Sequence, residues 1–396
     1  FCDNESTVQH NQGVGLHVAG GTVRRCRFVN NGMTLENARD YCMTGCVDGN
    51  VPYRSRTQVV TFFIIAQAFD IFMHNGFCRH TKEMVGIETG DVTKMATFDE
   101  FYAAFVKQFK YLLSMAAERN NVELIIQRDL FPDPFRSALM ENGVKDGKDL
   151  LDKQFAIENC SCLGAVGGVN TGDALCAVKQ LVFDQKNYTM AQLLTALDAD
   201  WEGYEEMRAD FIKAPKYGNN DDFVDKYAVW YVDFLAGEFD KYKTEDGGGI
   251  YVAMAANTSN IWAGKGIAAT PDGRRTGDRL AQGFSPSEYR CKSGITTVIN
   301  AIGSFPHECL YASNANLTFD RTAMNEKFWA AVLRVYCEKG AHMIQPNCNS
   351  VEELLDAQRH PERHQNLIVR VCGFSARFIA LSKRWQDEVI ERHRLK

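Results

Sequence analysis

Helical periodicity alternates along this chain with short apolar runs, and that alternation restricts the folds open to it more than any other feature. Apolar residues three and four apart predict helices over 57–75, 98–118, 134–142, 173–184, 190–210 and 221–242. β-rich runs lie between and after them, at 250–254, 296–302, 308–312 and 367–372. Helices interleaved with short strands predict α/β layering on a parallel or mixed sheet. The 396 residues, 45% of them hydrophobic, suffice to bury a sizeable core in one large or two smaller domains. Gly and Pro are densest over 264–286, "GKGIAATPDGRRTGDRLAQGFSP". This stretch reads as a long ordered loop and a boundary between one domain over 1–270 and a second over 271–396. The glycine-containing first 32 residues read as loop or short strand. The tail closes as a helix with Ser382 at its N-cap and Leu381, Trp385 and Val389 on one stripe.

Composition removes several classes of function. A net charge of -6 gives no basic field for nucleic acid or an anionic membrane. The most apolar stretch, "VVTFFIIAQAFDIF" (59–72), is broken by Gln67 and Asp70. It falls short of the ~20 residues that cross a bilayer and reads as a buried core helix. The chain starts at Phe1 with no secretion signal, as a processed chain or a piece of a longer one would. Its 13 cysteines are scattered, with no CxxC and no zinc or iron–sulfur spacing, Cys160 and Cys162 being the nearest pair. Most are expected to be small buried hydrophobes in a reducing cytoplasm, with no bound metal.

Two short segments carry chemistry. In "MTGCVDGN" (43–50), Gly45 and Gly49 bracket Cys46 and Asp48, forming a tight finger. Cys46 has three readings: a structural thiol, a nucleophile, or half of a thiol–carboxylate pair with Asp48. As a nucleophile it needs a histidine base, and His74 and His80 are the nearest in sequence. The pair suits a site that moves both a proton and a hydrogen atom on one small substrate. The second segment is "LIVRVCGFSARF" (367–378), where Gly373 interrupts an apolar strand. A glycine there marks a bulge or a close backbone approach.

The stretch "LIVRVCGFSARFIALSKRWQDEVIERH" (367–393) closely resembles the closing motif of the glycyl radical enzymes. "ATPDGRRTGDRLAQGFSP" (269–286), "APKYGNNDDFVD" (214–225) and "ENARDYCMTGCVDG" (36–49) are similar to three further motifs of that family, in the same order. The resemblance implies half of a ten-stranded α/β barrel, followed by a C-terminal glycine-radical domain. It implies that Gly373 stores an unpaired electron, since only glycine lets Cα flatten between two peptide groups, and that Cys46 receives the radical as a thiyl. Cys372 reads as packing. The resemblance further implies that no cofactor is bound and that the radical is installed on Gly373 by a partner, an S-adenosylmethionine-dependent iron–sulfur activating enzyme, in an anaerobic cytoplasm. A homodimer is expected for the full-length form.

The finger also selects a branch. Pyruvate formate-lyases carry adjacent cysteines, whereas Met43, Thr44 and Gly45 separate Cys42 from Cys46. Gly-Cys-Val-Asp is similar to the Gly-Cys-Val-Glu finger of the dehydratases, the C–N and C–S lyases and the arylacetate decarboxylases. Asp48 would then exchange the proton, with a side chain one methylene shorter than usual. "IENCSCLGAVGGVN" (157–170) and the glycine-rich segment 11–25 also depart from the diol dehydratase pattern. Elimination from a small polar substrate is the first expectation and arylacetate decarboxylation, with His74 and His80 in the pocket, the second. A non-catalytic radical spare part is the alternative from another class, and the Cys46 finger argues against it.

Overall fold

The computed structural model describes residues 5–8, 16–19, 34, 36, 40, 42–44, 48–54, 59–151, 160–254, 259–287, 293–319, 324–341, 343–371 and 373–393. Its strands are β1 (Glu5–Val8), β2 (Leu16–Ala19), β3 (Cys42–Thr44), β4 (Asp48–Asn50), β5 (Val59–Ile64), β6 (Phe77–Cys78), β7 (Glu83–Met84), β8 (Cys160–Val166), β9 (Gly249–Met254), β10 (Ala312–Ser313), β11 (Ala315–Thr318), β12 (Met343–Asn347), β13 (Ile368–Arg370) and β14 (Ser375–Arg377). β5, β8, β9 and β10 pair in parallel in that order, and β11 pairs in parallel with β12. Only Asn314 separates β10 from β11, so the two sheets form one curved half-barrel wall. β2 continues it antiparallel to β12, and β1 flanks β2.

A bend at Asn314 turns the wall. The Phe284 N–H takes the Asn314 carbonyl at 3.1 Å, which a neighbouring strand would otherwise occupy. Gly283 makes this approach possible. Its φ is +51°, and a Cβ there would lie 2.4 Å from the Asn314 carbonyl oxygen.

Helices cover the outer face, as parallel strands require. The principal ones are α1 (Ile65–Met73), α2 (Phe98–Leu130), α3 (Gly168–Val178) and α4 (Asp222–Phe239). α2 starts at Thr97, whose hydroxyl accepts from the Glu100 N–H at 3.2 Å. Phe101, Phe105 and Phe109 recur every four residues on its inner face and are fully buried. Phe72 of α1 meets Phe101 edge-on at 4.9 Å. This core contains Leu163, Ala165, Ile250, Val252, Ala315, Leu317 and Ile344, so these strand residues point outward to the helices. Their alternates Cys162, Ala253, Ala312 and Met343 gather in a separate cluster on the concave interior face.

A second, small core closes the chain. Helices α5 (Val351–Arg359) and α6 (Lys383–His393) pack on the β13–β14 hairpin through Leu354, Ala357, Val369, Val371, Phe378, Val389 and Ile390. Leu381 and Trp385 join it, as the predicted stripe required.

Three local expectations are corrected. Residues 59–64, read as the start of a helix, form β5. Phe63 packs outward and Phe62 and Ile64 inward, so burial on both faces erased the alternation that marks a strand. Residues 296–302, read as a strand, belong to a helix, Ile295–Ile302, with Val298, Ile299 and Ile302 buried on one side. The helix expected over 190–210 is two, Met190–Asp198 and Glu205–Lys213, broken where Asp200 and Trp201 take positive φ values of 52° and 65°. The strand Cys160–Val166 went unread.

Candidate active site

The interior face of the half-barrel holds two hairpins. The first is β3–β4, paired antiparallel from Cys42–Asn50 to Thr44–Asp48. Cys46 lies outside the described residues, as does Cys372, and of Asp48 only the backbone is described. The base of this finger is fixed. The Tyr311 hydroxyl donates to Asn50 Oδ1 at 3.3 Å, and both residues are buried. Tyr311 is itself tied to β9, its N–H donating to the Val252 carbonyl at 2.8 Å.

The second hairpin carries Gly373. Arg370 pairs with Ser375, and the Val371 N–H donates to the Phe374 carbonyl at 2.9 Å. Gly373 thus sits in the turn between Val371 and Phe374, at φ +70°. The glycine is a turn residue rather than a strand bulge. It is buried, whereas Phe374 beside it is 45% exposed.

Side chains on the interior face seat this turn. The Gly373 N–H donates to Gln345 Oε1 at 2.8 Å, and Arg370 Nε donates to the same oxygen at 3.1 Å. Gln345 is fully buried on β12, and its Nε2 lies 3.7 Å from Met343 Sδ. Met343 and Tyr311 belong to one apolar cluster. A continuous path therefore runs from Asn50 through Tyr311, Met343 and Gln345 to Gly373.

A buried polar network holds the hairpin from the other side. Arg392 of α6 donates to the Val371 carbonyl at 2.7 Å and to Glu388 Oε2 at 2.6 Å. Gln282 donates to Glu388 Oε1 at 2.9 Å and accepts from Arg392 and from Asn316 of β11. Five of these residues lay within the quoted motifs or on the strand wall without being singled out: Gln282, Asn316, Arg370, Glu388 and Arg392. Gln345 stands as a polar residue in the buried run "MIQPN", and that contrast was its signal.

The loop over 264–286 is ordered, as expected. Arg274 is buried and donates to the carbonyls of Ile267, Ala268, Arg275 and Asp278. Trp201 Nε1 donates to the Arg274 carbonyl at 3.1 Å, and Asn170 Nδ2 donates to Asp272 at 2.9 Å.

His74 and His80 lie elsewhere. His74 ends α1, its ring on the Asp70 carbonyl at 2.9 Å and on Asp198 at 3.2 Å, and His80 is exposed. α1 runs back from the end of β5, so these contacts sit on the outer layer rather than the interior face. Among the described cysteines, Cys78, Cys162 and Cys176 are buried. Burial, with the charge of Asp173 adding to it, pushes the Cys176 thiol up to about 12, which makes it a poor nucleophile. Among the described residues no group of His, Cys, Asp or Glu is arranged to hold a metal, and no helix is long and apolar enough to cross a membrane.

A parallel half-barrel with a buried glycine turn docked on its interior face is the architecture of the glycyl radical enzyme barrels. The chain belongs to the pyruvate formate lyase-like family, whose sequence profile it matches over residues 20–264, and it matches the glycine radical profile over 280–379. It is 32% identical over 366 residues to trans-4-hydroxy-L-proline dehydratase of Clostridioides difficile, covering 91% of this chain and 46% of that protein. It is 32% identical over 379 residues to isethionate sulfite-lyase of Desulfovibrio desulfuricans, covering 92% and 45%. The glycerol-bound B12-independent glycerol dehydratase of Clostridium butyricum superposes with a TM-score of 0.87 at 33% identity, covering 94% of this chain and 47% of that one. The chain spans about half the length of the curated relatives it matches.

Proposed function

We propose that this chain carries the radical-bearing half of a glycyl radical lyase that eliminates a leaving group from a small polar substrate. The observation that supports this most is the path from Asn50 to Gly373 across one sheet face. It anchors the finger and the glycine turn to neighbouring side chains, although they are far apart in sequence. In this reading residues from 271 onward act as the glycine radical unit.

A carbon radical that the activating enzyme generates from S-adenosylmethionine removes one hydrogen atom from Gly373 Cα. When substrate binds, Cys46 S–H gives its hydrogen atom to that Cα and becomes a thiyl. The thiyl takes a hydrogen atom from a substrate carbon bearing a hydroxyl. The Asp48 carboxylate accepts the hydroxyl proton, and the leaving group on the next carbon departs with its bonding electron pair and takes that proton up from Asp48. The product radical recovers the hydrogen atom from Cys46, and Cys46 recovers one from Gly373. Asp48 must reach its proton across about 2.6–3.2 Å, so its short side chain calls for a closer substrate or a bridging water. His74 has no part in this scheme, because its ring ends α1.

The elimination reading is favoured over arylacetate decarboxylation because a dehydratase and a sulfite-lyase are 32% identical to this chain, whereas an indoleacetate decarboxylase is 26% identical, and because the His74 ring is held at the end of α1. The test is the complete gene product, activated anaerobically by its partner and offered diols, hydroxyproline, aminoalcohols, sulfonates and arylacetates, with products read by mass spectrometry. Loss of water, amine or sulfite that disappears in Gly373→Ala and Cys46→Ser is the expected result. Loss of CO2 from an arylacetate would replace elimination with decarboxylation, and turnover surviving in Gly373→Ala would remove the radical reading.

A further inference from the structure

We infer that Gln345 is the positioning residue of the radical glycine, a role that rests on reading Gly373 as the radical site. Its carboxamide oxygen accepts both the Gly373 N–H at 2.8 Å and Arg370 Nε–H at 3.1 Å. Both partners can only donate, so they fix which end of the amide faces the turn. The side chain is fully buried on β12, and its other end rests against Met343. Gln345 therefore pins the peptide plane that enters Gly373.

That pin governs the geometry of the radical. A Cα radical shared between its two peptide groups needs its orbital aligned with both, and Gly373 stands at φ +70°, away from that alignment. Loss of a hydrogen atom requires rotation about the bonds to Cα. Gln345 holds the entering peptide, and Arg392 holds the Val371 carbonyl just before it at 2.7 Å. On the leaving side Phe374 is 45% exposed and its carbonyl is tied to the Val371 N–H, so the rotation falls on the peptide between Gly373 and Phe374. The held plane then sets where the Cα hydrogens point and how the spin is shared.

The test is electron paramagnetic resonance on the complete gene product, activated anaerobically, with Gly373→Ala as a control. Gln345→Met keeps the side-chain volume and removes the strong acceptor. Gln345→Asn draws the oxygen back by one methylene and reads the same way if the methionine variant does not fold. Gln345→Glu restores an acceptor for both donors. The expected result is a radical that decays at least tenfold faster in the Met or Asn variant, with an altered Cα–H splitting, and a wild-type lifetime in the Glu variant. An unchanged splitting and decay in the variant that folds overturns the role of Gln345 while Gly373 keeps its own. A wild-type signal that persists in Gly373→Ala overturns the underlying reading instead.

Discussion

Replacing Arg392 by methionine tests whether the buried network under the glycine turn is what holds it. Arg392 is 7% exposed and Glu388 is fully buried, with Nη2 to Oε2 at 2.6 Å. Methionine fills much of the volume but leaves the Glu388 carboxylate without its charged partner and the Val371 carbonyl without its donor. Breaking one side of such a buried pair costs about 3–5 kcal/mol. At about 1.4 kcal/mol per decade, the equilibrium for opening the turn shifts by roughly two to four decades. A global melting temperature reports the whole chain and would blur so local an effect. Native-state hydrogen exchange on peptides spanning 367–378 reads it locally, because the Val371 amide is protected by its bond to Phe374. Those amides are expected to exchange at least a hundredfold faster in Arg392→Met. Arg392→Met with Glu388→Leu should regain much of the protection, since removing both charges is far less costly than stranding one. A loss of protection under tenfold in the single variant, or no recovery in the double, refutes the reasoning.

Three further perturbations follow from the fold. Gly283→Ala places a Cβ 2.4 Å from the Asn314 carbonyl oxygen at φ +51°, and should lower stability by at least about 2 kcal/mol; an unchanged melting temperature would show that the bend at Asn314 relaxes. Phe105→Ala empties a fully buried site against Phe69, Phe72 and Phe109 and should cost about 3–5 kcal/mol in urea denaturation, with a loss under 1 kcal/mol counting against the packing described. His307 is buried, with Nε2–H donating to the Ile302 carbonyl at 2.8 Å, and burial lowers its pKa from 6.5 to about 4. The unfolded chain therefore binds a proton below pH 6.5 that the folded chain refuses until about pH 4, so this group removes about 1.4 kcal/mol of stability per unit as pH falls across that window. His307→Gln should flatten the stability profile by that slope, and an identical profile contradicts a neutral His307.

Sequence reading went furthest where local chemistry is self-declaring. The tail helix was legible because Leu381, Trp385 and Val389 repeat on one side, and those residues do form the small core. The ordered loop over 264–286 announced itself through Gly and Pro, although its hub, Arg274, could be placed only by the carbonyls that converge on it. β5 failed because a strand buried on both faces carries no period, so its run of Val, Thr, Phe and Ile merged with α1. The helix Ile295–Ile302 failed for the opposite reason: its β-branched composition favours a strand, and packing of Val298, Ile299 and Ile302 against the core overrode that preference. At the site, the resemblance of four motifs to those of the glycyl radical enzymes, and not composition or spacing, pointed to Gly373 and the finger. Tyr311 carried no signal and Gln345 only that of a polar residue in an apolar run, because their roles come from strands brought together across the wall.

The two hairpins differ in what their anchors should control, and Tyr311→Phe separates them. The phenylalanine keeps the ring in its cluster with Met343 and removes only the hydroxyl that donates to Asn50 Oδ1 at 3.3 Å. A hydrogen bond of this kind is worth about 1 kcal/mol net, so the finger should lose roughly fivefold in the population of its productive position. Gly373 is seated by Gln345 and Arg392, neither of which bonds the Tyr311 hydroxyl, so radical yield and lifetime should stay at wild-type values. Turnover per radical should fall about fivefold, with the deficit in kcat rather than in the amount of radical. If radical yield falls in step with turnover, the two hairpins form one rigid unit and Tyr311 supports both. If neither changes, the finger takes its position from contacts other than this anchor, and the path from Asn50 to Gly373 is packing without consequence for the chemistry.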